Sequence, residues 1–290
     1  MNDQAQNLRR KLSKANNHQH LAKTISFISG KGGVGKSNIA LNFSLSLQER
    51  QKKVLLIDFD IGMGNIEILL GMPAKKSIAD MFASYLSMTE IIQRGPYGLD
   101  VMSGGFGLTS VFRLDTGKKE HFYKEYETLM ETYDFIIFDM GAGVTEDSLF
   151  FILASDESIV TTTPEPTSIT DGYGMIKHVV SKEPDMPIHV VMNRSLSRTS
   201  GLQALQRFQQ VIRNFLNKEV SLIGNVPNDK LVQEAVIKQV PFTLMNKNAS
   251  VSRAVADMAE NYLLNKTIND EKSSVSFIQK LKRLVGKRLF

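Results

Sequence analysis

A glycine-rich segment of the chain holds two lysines, Lys31 and Lys36, five residues apart. It reads GKGGVGKS from Gly30 to Ser37 and fits the spacing G-x-x-x-x-G-K-[ST]. Such glycines let backbone N–H groups converge on a polyphosphate, and a helix that begins at the loop adds its positive end. Lys36 would then reach the β- and γ-phosphates, and the hydroxyl of Ser37 would bind Mg²⁺. The residues predicted to contact a nucleotide here are Gly30, Lys31, Gly32, Gly33, Val34, Gly35, Lys36, Ser37 and Asn38.

Three aspartates follow apolar runs and complete the predicted site. Asp58 and Asp60 end the run KVLLIDFD, and Asp139 follows FIIF. A carboxylate at the end of such a strand anchors the hydrated magnesium ion of a bound nucleotide, so Ser37, Asp58 and Asp139 are the predicted metal ligands. Asp60 could orient or deprotonate the attacking water. The simpler alternative for each aspartate is a helix cap or a turn residue.

The phosphate-loop motif assigns no role to its other lysine, Lys31. Lys36 already neutralises the phosphates from its own chain, and a second lysine on the opposite flank of the loop would point into solvent in a monomer. Lys31 becomes useful if a second copy of the chain faces the first across the nucleotides. It could then offset the charge that develops on the leaving group in the neighbouring site, as an arginine finger does. A solvated surface lysine is the alternative.

The elements that must position these residues are strands and helices in alternation. Near-continuous Val/Ile/Phe runs recur along the chain, and amphipathic segments such as HFYKEYETLMET separate them. This pattern predicts an α/β fold, a phosphate-loop NTPase with a mostly parallel, twisted sheet covered by helices on both faces. Ligand groups then belong at the carboxyl ends of the strands, where the distinctive polar residues cluster. The predicted strands lie within residues 24–29, 53–60, 133–143, 158–166, 187–194 and 221–229.

Composition and charge narrow the function. The chain has 290 residues, 42% hydrophobic and 22% charged, which is typical of a globular protein. It contains no cysteine, which excludes disulfides, thiolate zinc sites and iron–sulfur clusters and fits a reducing cytoplasm. No apolar run approaches the roughly 18 residues that span a bilayer. The net charge of +5 divides into +4 for residues 1–23, +5 for residues 277–290 and −4 for those between. The basic character therefore lies in the two ends, and a body that coats nucleic acid is not indicated.

The terminal segment, residues 277–290, is predicted to form an amphipathic helix that lies in a membrane interface. Its apolar residues fall on one side of a helical wheel, and basic residues mostly flank that side. One short helix should bind anionic lipid weakly, whereas two helices in a dimer gain from effective concentration. The alternative is a helix folded back on the body, which could be a resting state that shields the apolar side. The predicted membrane-contacting residues are Phe277, Ile278, Leu281, Leu284, Val285 and Leu289.

Three motifs together resemble a known family. GKGGVGKS, LLIDFDIGMGN and FDMGAG are similar to the deviant Walker A ATPases of the MinD/ParA group, over roughly residues 24–264. The resemblance implies a Mg²⁺-dependent ATPase in which Lys31 acts in trans across an ATP-dependent homodimer. It implies that Asp60 activates water, that Asp139 anchors the magnesium hydration shell and that Glu165 contacts ribose across the dimer. The positions matched to adenine contacts, which favour ATP over GTP, are Asn193, Arg194, Pro227, Asn228 and Asp229.

The N-terminal extension, residues 1–23, resembles one branch of that group. DQAQNLRR, residues 3–10, is similar to the DQAxxLR activator motif of the flagellar regulator family FlhG, also called FleN or YlxH. The resemblance implies that this segment stimulates the GTPase FlhF, and that flagellar switch-complex proteins are further partners. It also implies a cytoplasmic protein that associates peripherally with the inner face of the cell membrane and regulates flagellar placement and number. The predicted partner-binding residues are Asp3, Gln4, Ala5, Leu8 and Arg9.

Several alternatives stay open at this point. The chain could be a partition-type ATPase whose basic ends bind DNA without sequence specificity, although no specific DNA binding is expected. It could be a division-site regulator of the MinD type, or a scaffold that binds nucleotide without hydrolysing it. The N-terminal extension could serve solubility alone. Between the body and the terminal helix, the polar stretch NKTINDEKSSVS, residues 265–276, is predicted to be a linker.

Overall fold

The fold is built on one sheet in the part of the chain that the computed structural model describes, residues 21–73, 75–105, 114–269 and 277–286. Its strands are β1 (Lys23–Ile28), β2 (Val54–Phe59), β3 (Gln93–Arg94), β4 (Asp100–Met102), β5 (Phe135–Met140), β6 (Glu157–Thr162), β7 (Ile188–Ser195) and β8 (Ser221–Pro227). They lie in the order β3-β4-β2-β5-β1-β6-β7-β8. All neighbours run parallel except β3 and β4.

Helices connect the strands and cover the sheet. Within the described residues they are α1 (Lys36–Glu49), α2 (Ile66–Leu69), α3 (Ile78–Ser84), α4 (Met88–Ile91), α5 (Thr116–Leu129), α6 (Glu146–Ala154), α7 (Pro166–Lys182), α8 (Arg198–Leu216), α9 (Lys230–Lys238), α10 (Phe242–Met245), α11 (Ser250–Asn269) and α12 (Phe277–Gly286). Parallel neighbours require crossover connections, and here helices supply them. The predicted fold class is confirmed.

Apolar side chains pack on both faces of the sheet. On one face, Phe27 of β1 lies against Phe43 of α1, with ring centroids 5.5 Å apart. On the other face, Phe138 of β5 lies 4.8 Å from Phe59 of β2, again between ring centroids. Alternate residues of a strand point to opposite faces, so β5 gives Ile137 to the first core and Phe138 to the second. Two cores therefore hold the central strands in register.

The register of the central strands brings the predicted carboxylates together. β5 lies between β1 and β2, and Asp139 is aligned with Phe27 on one side and with Asp58 on the other. The glycine-rich loop follows β1 directly. The carboxyl ends of β2 and β5 therefore lie beside the loop, because these strands run parallel to β1 in the sheet.

The C-terminal helix α12 is folded back on the body. Phe277 and Leu281 are fully buried, and the ring of Phe277 lies 4.4 Å from that of Tyr126 on α5. Lys280 donates a hydrogen bond of 3.0 Å to the carbonyl oxygen of Ser155. The folded-back alternative therefore describes this conformation, and the two buried side chains are not available to a lipid surface in it. No helix among the described residues has the length and apolar character to cross a bilayer.

Some of the predicted segments lie partly or wholly outside the residues that the structure describes. Helix α11 ends at Asn269, so it continues five residues into the stretch predicted as a linker. The remainder of that stretch, 270–276, lies outside the described residues, as does Leu289 of the predicted membrane face. The activator motif also lies outside them, with all of its predicted partner-binding residues: Asp3, Gln4, Ala5, Leu8 and Arg9.

Candidate nucleotide site

The glycine-rich loop joins β1 to α1 at the carboxyl edge of the sheet. Gly35, at the N-terminus of α1, has a φ of 89°, in the left-handed region that favours glycine. Gly30 lies directly against α7, since a Cβ added there would stand 2.1 Å from the backbone oxygen of Asp171. Gly32 and Gly33 are exposed, whereas Val34 is buried. The loop thus packs against α7 at Gly30 and is open to solvent at Gly32 and Gly33.

A buried ion pair stands next to this loop. The ammonium of Lys36 bonds to Oδ1 of Asp139, and both side chains are at least nine-tenths buried. The same ammonium lies 3.5 Å from the hydroxyl of Ser37. A cation therefore already sits between a hydroxyl and a carboxylate, the hard oxygen donors that Mg²⁺ takes in nucleotide sites. Ser37 and Asp139 fit a magnesium ion that arrives with a polyphosphate.

Asp58 is fully buried and holds the loop that follows β2. Its Oδ1 accepts the N–H of Asp60 at 2.9 Å, and its Oδ2 accepts those of Asn65 at 2.7 Å and Ile66 at 3.2 Å. Burial and the neighbouring charge of Asp139 raise its pKa to about 7, against the opposite effect of those three N–H groups. The sequence predicted Asp58 as a metal ligand, and the structure gives both of its oxygens backbone partners. Its observed contacts position Asp60.

Asp60 lies half-buried at the rim of the same corner. A Cβ added to Gly141, in the turn after β5, would stand 3.3 Å from its Oδ1. Burial raises the pKa of Asp60, the charge of Lys36 lowers it, and the charge of Asp139 raises it again. A partly solvated carboxylate with a raised pKa suits a general base, because it can reach water and accept a proton.

Lys31 and Glu165 contact each other within one chain. The ammonium of Lys31 lies 3.0 Å from Oε2 of Glu165 and 3.0 Å from the hydroxyl of Thr167, in the first turn of α7. The Lys31 side chain is 32% exposed and that of Glu165 is 60% exposed. The sequence predicted that each residue serves the neighbouring copy. In the single chain they pair with each other, and the part played by Thr167 had no sequence signal.

The predicted adenine contacts have different surroundings. Asn193 is 8% exposed and donates from Nδ2 to the carbonyl oxygen of Val34 in the loop, at 2.8 Å. Asp229 caps α9 through the N–H of Leu231 and accepts a bond from Ser250, and the same two contacts lower its pKa. The side chains left facing solvent are those of Arg194 and Asn228, beside the half-buried Pro227.

Comparisons with known proteins agree with this geometry. The ParA family model, described as an NUBPL iron-transfer P-loop NTPase, matches residues 20–263. Antiactivator FleN of Pseudomonas aeruginosa is 29% identical over 220 residues, which cover 76% of this chain and 79% of FleN. Flagellum site-determining protein YlxH of Helicobacter pylori is 29% identical, over 82% of this chain and 80% of YlxH. The resemblance to the FlhG family is confirmed.

A solved structure gives the same result for the fold. The cell division ATPase MinD of Pyrococcus furiosus superposes with a TM-score of 0.71 and 25% identity, over 84% of this chain and 100% of that one. The name of the family model mentions iron transfer, but this chain has no cysteine to supply thiolate ligands. The family model describes a P-loop NTPase and the Pyrococcus furiosus protein is an ATPase, which confirms the predicted class of enzyme.

Replacement of Asp60 tests its assignment as the base. We expect Asp60→Ala to slow ATP hydrolysis at least about 100-fold, because general-base catalysis contributes that much or more. Binding of a slowly hydrolysed ATP analogue should stay within about twofold of the wild type, since the loop N–H groups and Lys36 are the predicted phosphate contacts. Phosphate release and calorimetry measure the two quantities. Asp115→Ala, which removes an exposed helix cap on α5, is the matched control and should hydrolyse normally. Unchanged hydrolysis by Asp60→Ala would show that this carboxylate is not the base.

Proposed function

Because the chain belongs to the ParA family of P-loop NTPases and is a MinD-type ATPase, we propose that it regulates the placement and number of flagella as an ATP-dependent, membrane-bound homodimer. The observation that supports the dimer is the position of Lys31, a loop lysine whose ammonium bonds to Glu165 and Thr167, while Lys36 alone bonds to Asp139 among the described hydrogen bonds of these two lysines. The flagellar role is supported by the similarity to FleN and YlxH and by the DQAxxLR-like motif.

The surface around the loop supports association with a second copy. Met63, in the loop after β2, is 72% exposed, and Leu196, just beyond β7, is 89% exposed. Both stand at the carboxyl edge of the sheet, as the glycine-rich loop does. Large apolar side chains so exposed beside a polar site gain by burial against another protein surface. A second copy placed over this edge would cover them and would bring its Lys31 to the site.

Each residue then has one task in hydrolysis. The N–H groups of the loop, with Lys36, hold the phosphates, while Asp60 takes a proton from the attacking water. Lys31 of the second copy offsets the charge that develops on the leaving group. When bound, Mg²⁺ supplies further charge neutralisation, and Ser37 and Asp139 are the residues that would hold it. Glu165, which loses Lys31 to the other copy, becomes free to contact the ribose across the interface.

Helix α12 supplies the membrane contact. Its cations Lys282 and Arg283 are exposed, while Phe277 and Leu281 are buried against the body. We propose that the folded-back helix is the resting state and that dimer formation favours its release to anionic lipid. Each basic residue contributes about 1 kcal/mol near such a surface, so a single helix binds weakly. Two helices in one dimer bind more tightly without new contacts.

The N-terminal extension supplies the partner contact. We propose that residues 3–10 enter the catalytic chamber of an FlhF-type GTPase, where Gln4 orients a water. Flagellar switch-complex proteins are proposed as further partners, on the similarity to the two flagellar relatives. The proposed location is the cytoplasm and the inner face of the cell membrane.

Replacement of Lys31 tests the dimer. With a slowly hydrolysed ATP analogue, size-exclusion chromatography with light scattering should give a dimer for the wild type, and with ADP a monomer. Lys31→Ala should hydrolyse ATP at least about 1,000-fold more slowly, the loss expected of a cation donated in trans. Lys53→Ala, an exposed lysine at the opposite end of β2, should leave the rate unchanged.

Mixing two inactive variants separates action in trans from action in cis. Each mixed dimer of Lys31→Ala and Asp60→Ala contains one complete site, so an equal mixture should recover roughly a quarter of the wild-type rate. No recovery, or a wild type that stays monomeric with the analogue, contradicts the proposal.

Sedimentation with vesicles tests the membrane contact. Wild-type protein with the ATP analogue should sediment with phosphatidylglycerol vesicles. The pair Lys282→Glu and Arg283→Glu should weaken this binding at least about tenfold, because each reversal replaces attraction by repulsion. Reversal of Lys75 and Lys76, exposed on the body, is the matched control. Binding to random duplex DNA in place of vesicles would favour the partition-type alternative.

Replacement of Gln4 tests the partner contact. We expect Gln4→Ala to abolish stimulation of an FlhF-type GTPase, measured as GTP hydrolysed in a mixture of the two proteins. Gln6→Ala changes a variable position of the same motif and should stimulate normally. Stimulation that persists in Gln4→Ala would contradict the role given to the extension.

A further inference from the structure

The docked helix α12 is connected to the first strand through one buried tyrosine. The ring of Phe277 lies 4.4 Å from the ring of Tyr126 on α5, measured between centroids. The phenol oxygen of Tyr126 lies 2.6 Å from the hydroxyl oxygen of Thr24, the second residue of β1. All three residues are fully buried. A change in the position of α12 therefore reaches a polar contact of β1 through a single side chain.

A second connection runs through the start of β6. Lys280 of α12 donates to the carbonyl oxygen of Ser155 at 3.0 Å. The next residue, Asp156, accepts the N–H of Thr24 on Oδ2 at 2.8 Å, and its own N–H donates to the carbonyl oxygen of Thr24 at 2.9 Å. Burial raises the pKa of Asp156 to about 6, while the N–H of Thr24 and the charge of Lys280 act in the opposite direction. Departure of Lys280 would therefore leave the carboxylate of Asp156 less well stabilised.

Both connections end at Thr24, which stands where the N-terminal extension joins the fold. The DQAxxLR-like motif, residues 3–10, precedes β1 in this extension. Ala22 and Lys23 donate their backbone N–H groups to the carbonyl oxygens of Met130 and Asp134, in the segment that follows α5. The base of the extension, residues 22–24, is thus bonded to the end of α5 and to the start of β6. These are the same parts of the body that α12 contacts.

We propose that this network couples the docking of α12 to the attachment of the N-terminal extension. With α12 docked, Tyr126 and Asp156 are held against Thr24, and the start of β1 is fixed. When α12 leaves for an anionic lipid surface, Tyr126 loses its aromatic cover and Asp156 loses Lys280, so the base of the extension loosens. Such coupling is reciprocal, and loosening of Thr24 in turn favours release of α12. The proposal rests on the membrane role proposed for α12, and it makes the extension respond to the membrane.

Hydrogen exchange of the full chain without lipid, followed by mass spectrometry, tests the coupling. Phe277→Ala removes the ring that covers Tyr126 and should speed exchange in residues 277–286. It should also speed exchange in residues 22–26 at least about threefold, because these amides open more often when their supports loosen. Strand β8 lies at the far edge of the sheet, so its residues 221–227 are the internal control and should not change.

A second variant makes the exchange experiment independent of the aromatic pair. Lys280→Ala removes the bond to Ser155, leaves Phe277 in place and should shift exchange in the same two segments. It carries the test if Phe277→Ala does not fold. Faster exchange of α12 together with unchanged exchange in residues 22–26 overturns the proposal.

Variants of β1 test the reverse direction by sedimentation with phosphatidylglycerol vesicles and the ATP analogue. Thr24→Val keeps the shape of the side chain and removes the hydroxyl that contacts Tyr126. It should strengthen vesicle binding about 3- to 10-fold, the effect of one hydrogen bond lost from the docked state. Ser26→Ala is the matched control, because the Ser26 hydroxyl lies on the same strand but bonds to that of Ser158 at 2.8 Å. Its vesicle binding should equal that of the wild type.

The outcomes separate the coupling from the membrane role. Unchanged vesicle binding by Thr24→Val, or an equal gain in Ser26→Ala, overturns the coupling. A wild type that does not sediment with vesicles refutes the membrane role alone, and the exchange measurements without lipid then decide the coupling by themselves.

Discussion

The ion pair of Lys36 with Asp139 is the interaction on which the rest of the site depends. Two opposite charges are buried at the junction of β1, β5 and α1. Breaking such a pair by removing one partner costs about 3–5 kcal/mol, because a buried charge is left uncompensated. Correct placement of both requires β5 beside β1 and a helix that begins directly after the loop. The order of the strands in the sheet therefore determines which charged side chains meet at this edge.

A second carboxylate extends this constraint to the loop that carries Asp60. Asp58 is aligned with Asp139 in the sheet. Two buried carboxyl groups therefore lie side by side at this edge, and Lys36 is buried there as well. The three backbone N–H groups around Asp58 offset part of the cost of burying it. They also fix the residues from 60 to 66 to the end of β2. The same hydrogen bonds therefore stabilise the buried carboxyl group of Asp58 and position Asp60.

The sequence predicted the parts of the site that have local signatures. The loop, Lys36, Ser37 and the strand-end aspartates follow from spacing and from apolar runs, because these depend on neighbours in the chain. The contacts of Lys31 with Glu165 and of Asn193 with Val34 join residues 134 and 159 positions apart, and no periodicity encodes them. Asp58 stays a predicted metal ligand by its type and place, and its three backbone N–H partners had no sequence signal because only the folded loop supplies them. For α12, the pattern predicted an apolar side but not the surface that covers it.

Strand β5 joins the docked helix to the site through two consecutive residues. Phe138 contacts the ring of Phe277, with centroids 5.6 Å apart, and the next residue, Asp139, holds Lys36. A slip of β5 by one position in either direction would move the Asp139 carboxylate to the apolar face of the sheet and an apolar side chain, Phe138 or Met140, into the polar corner. Either error alone would be unfavourable, and the two always occur together. A wrong register of β5 is therefore destabilised in two ways, by lost hydrophobic packing and by a misplaced buried charge.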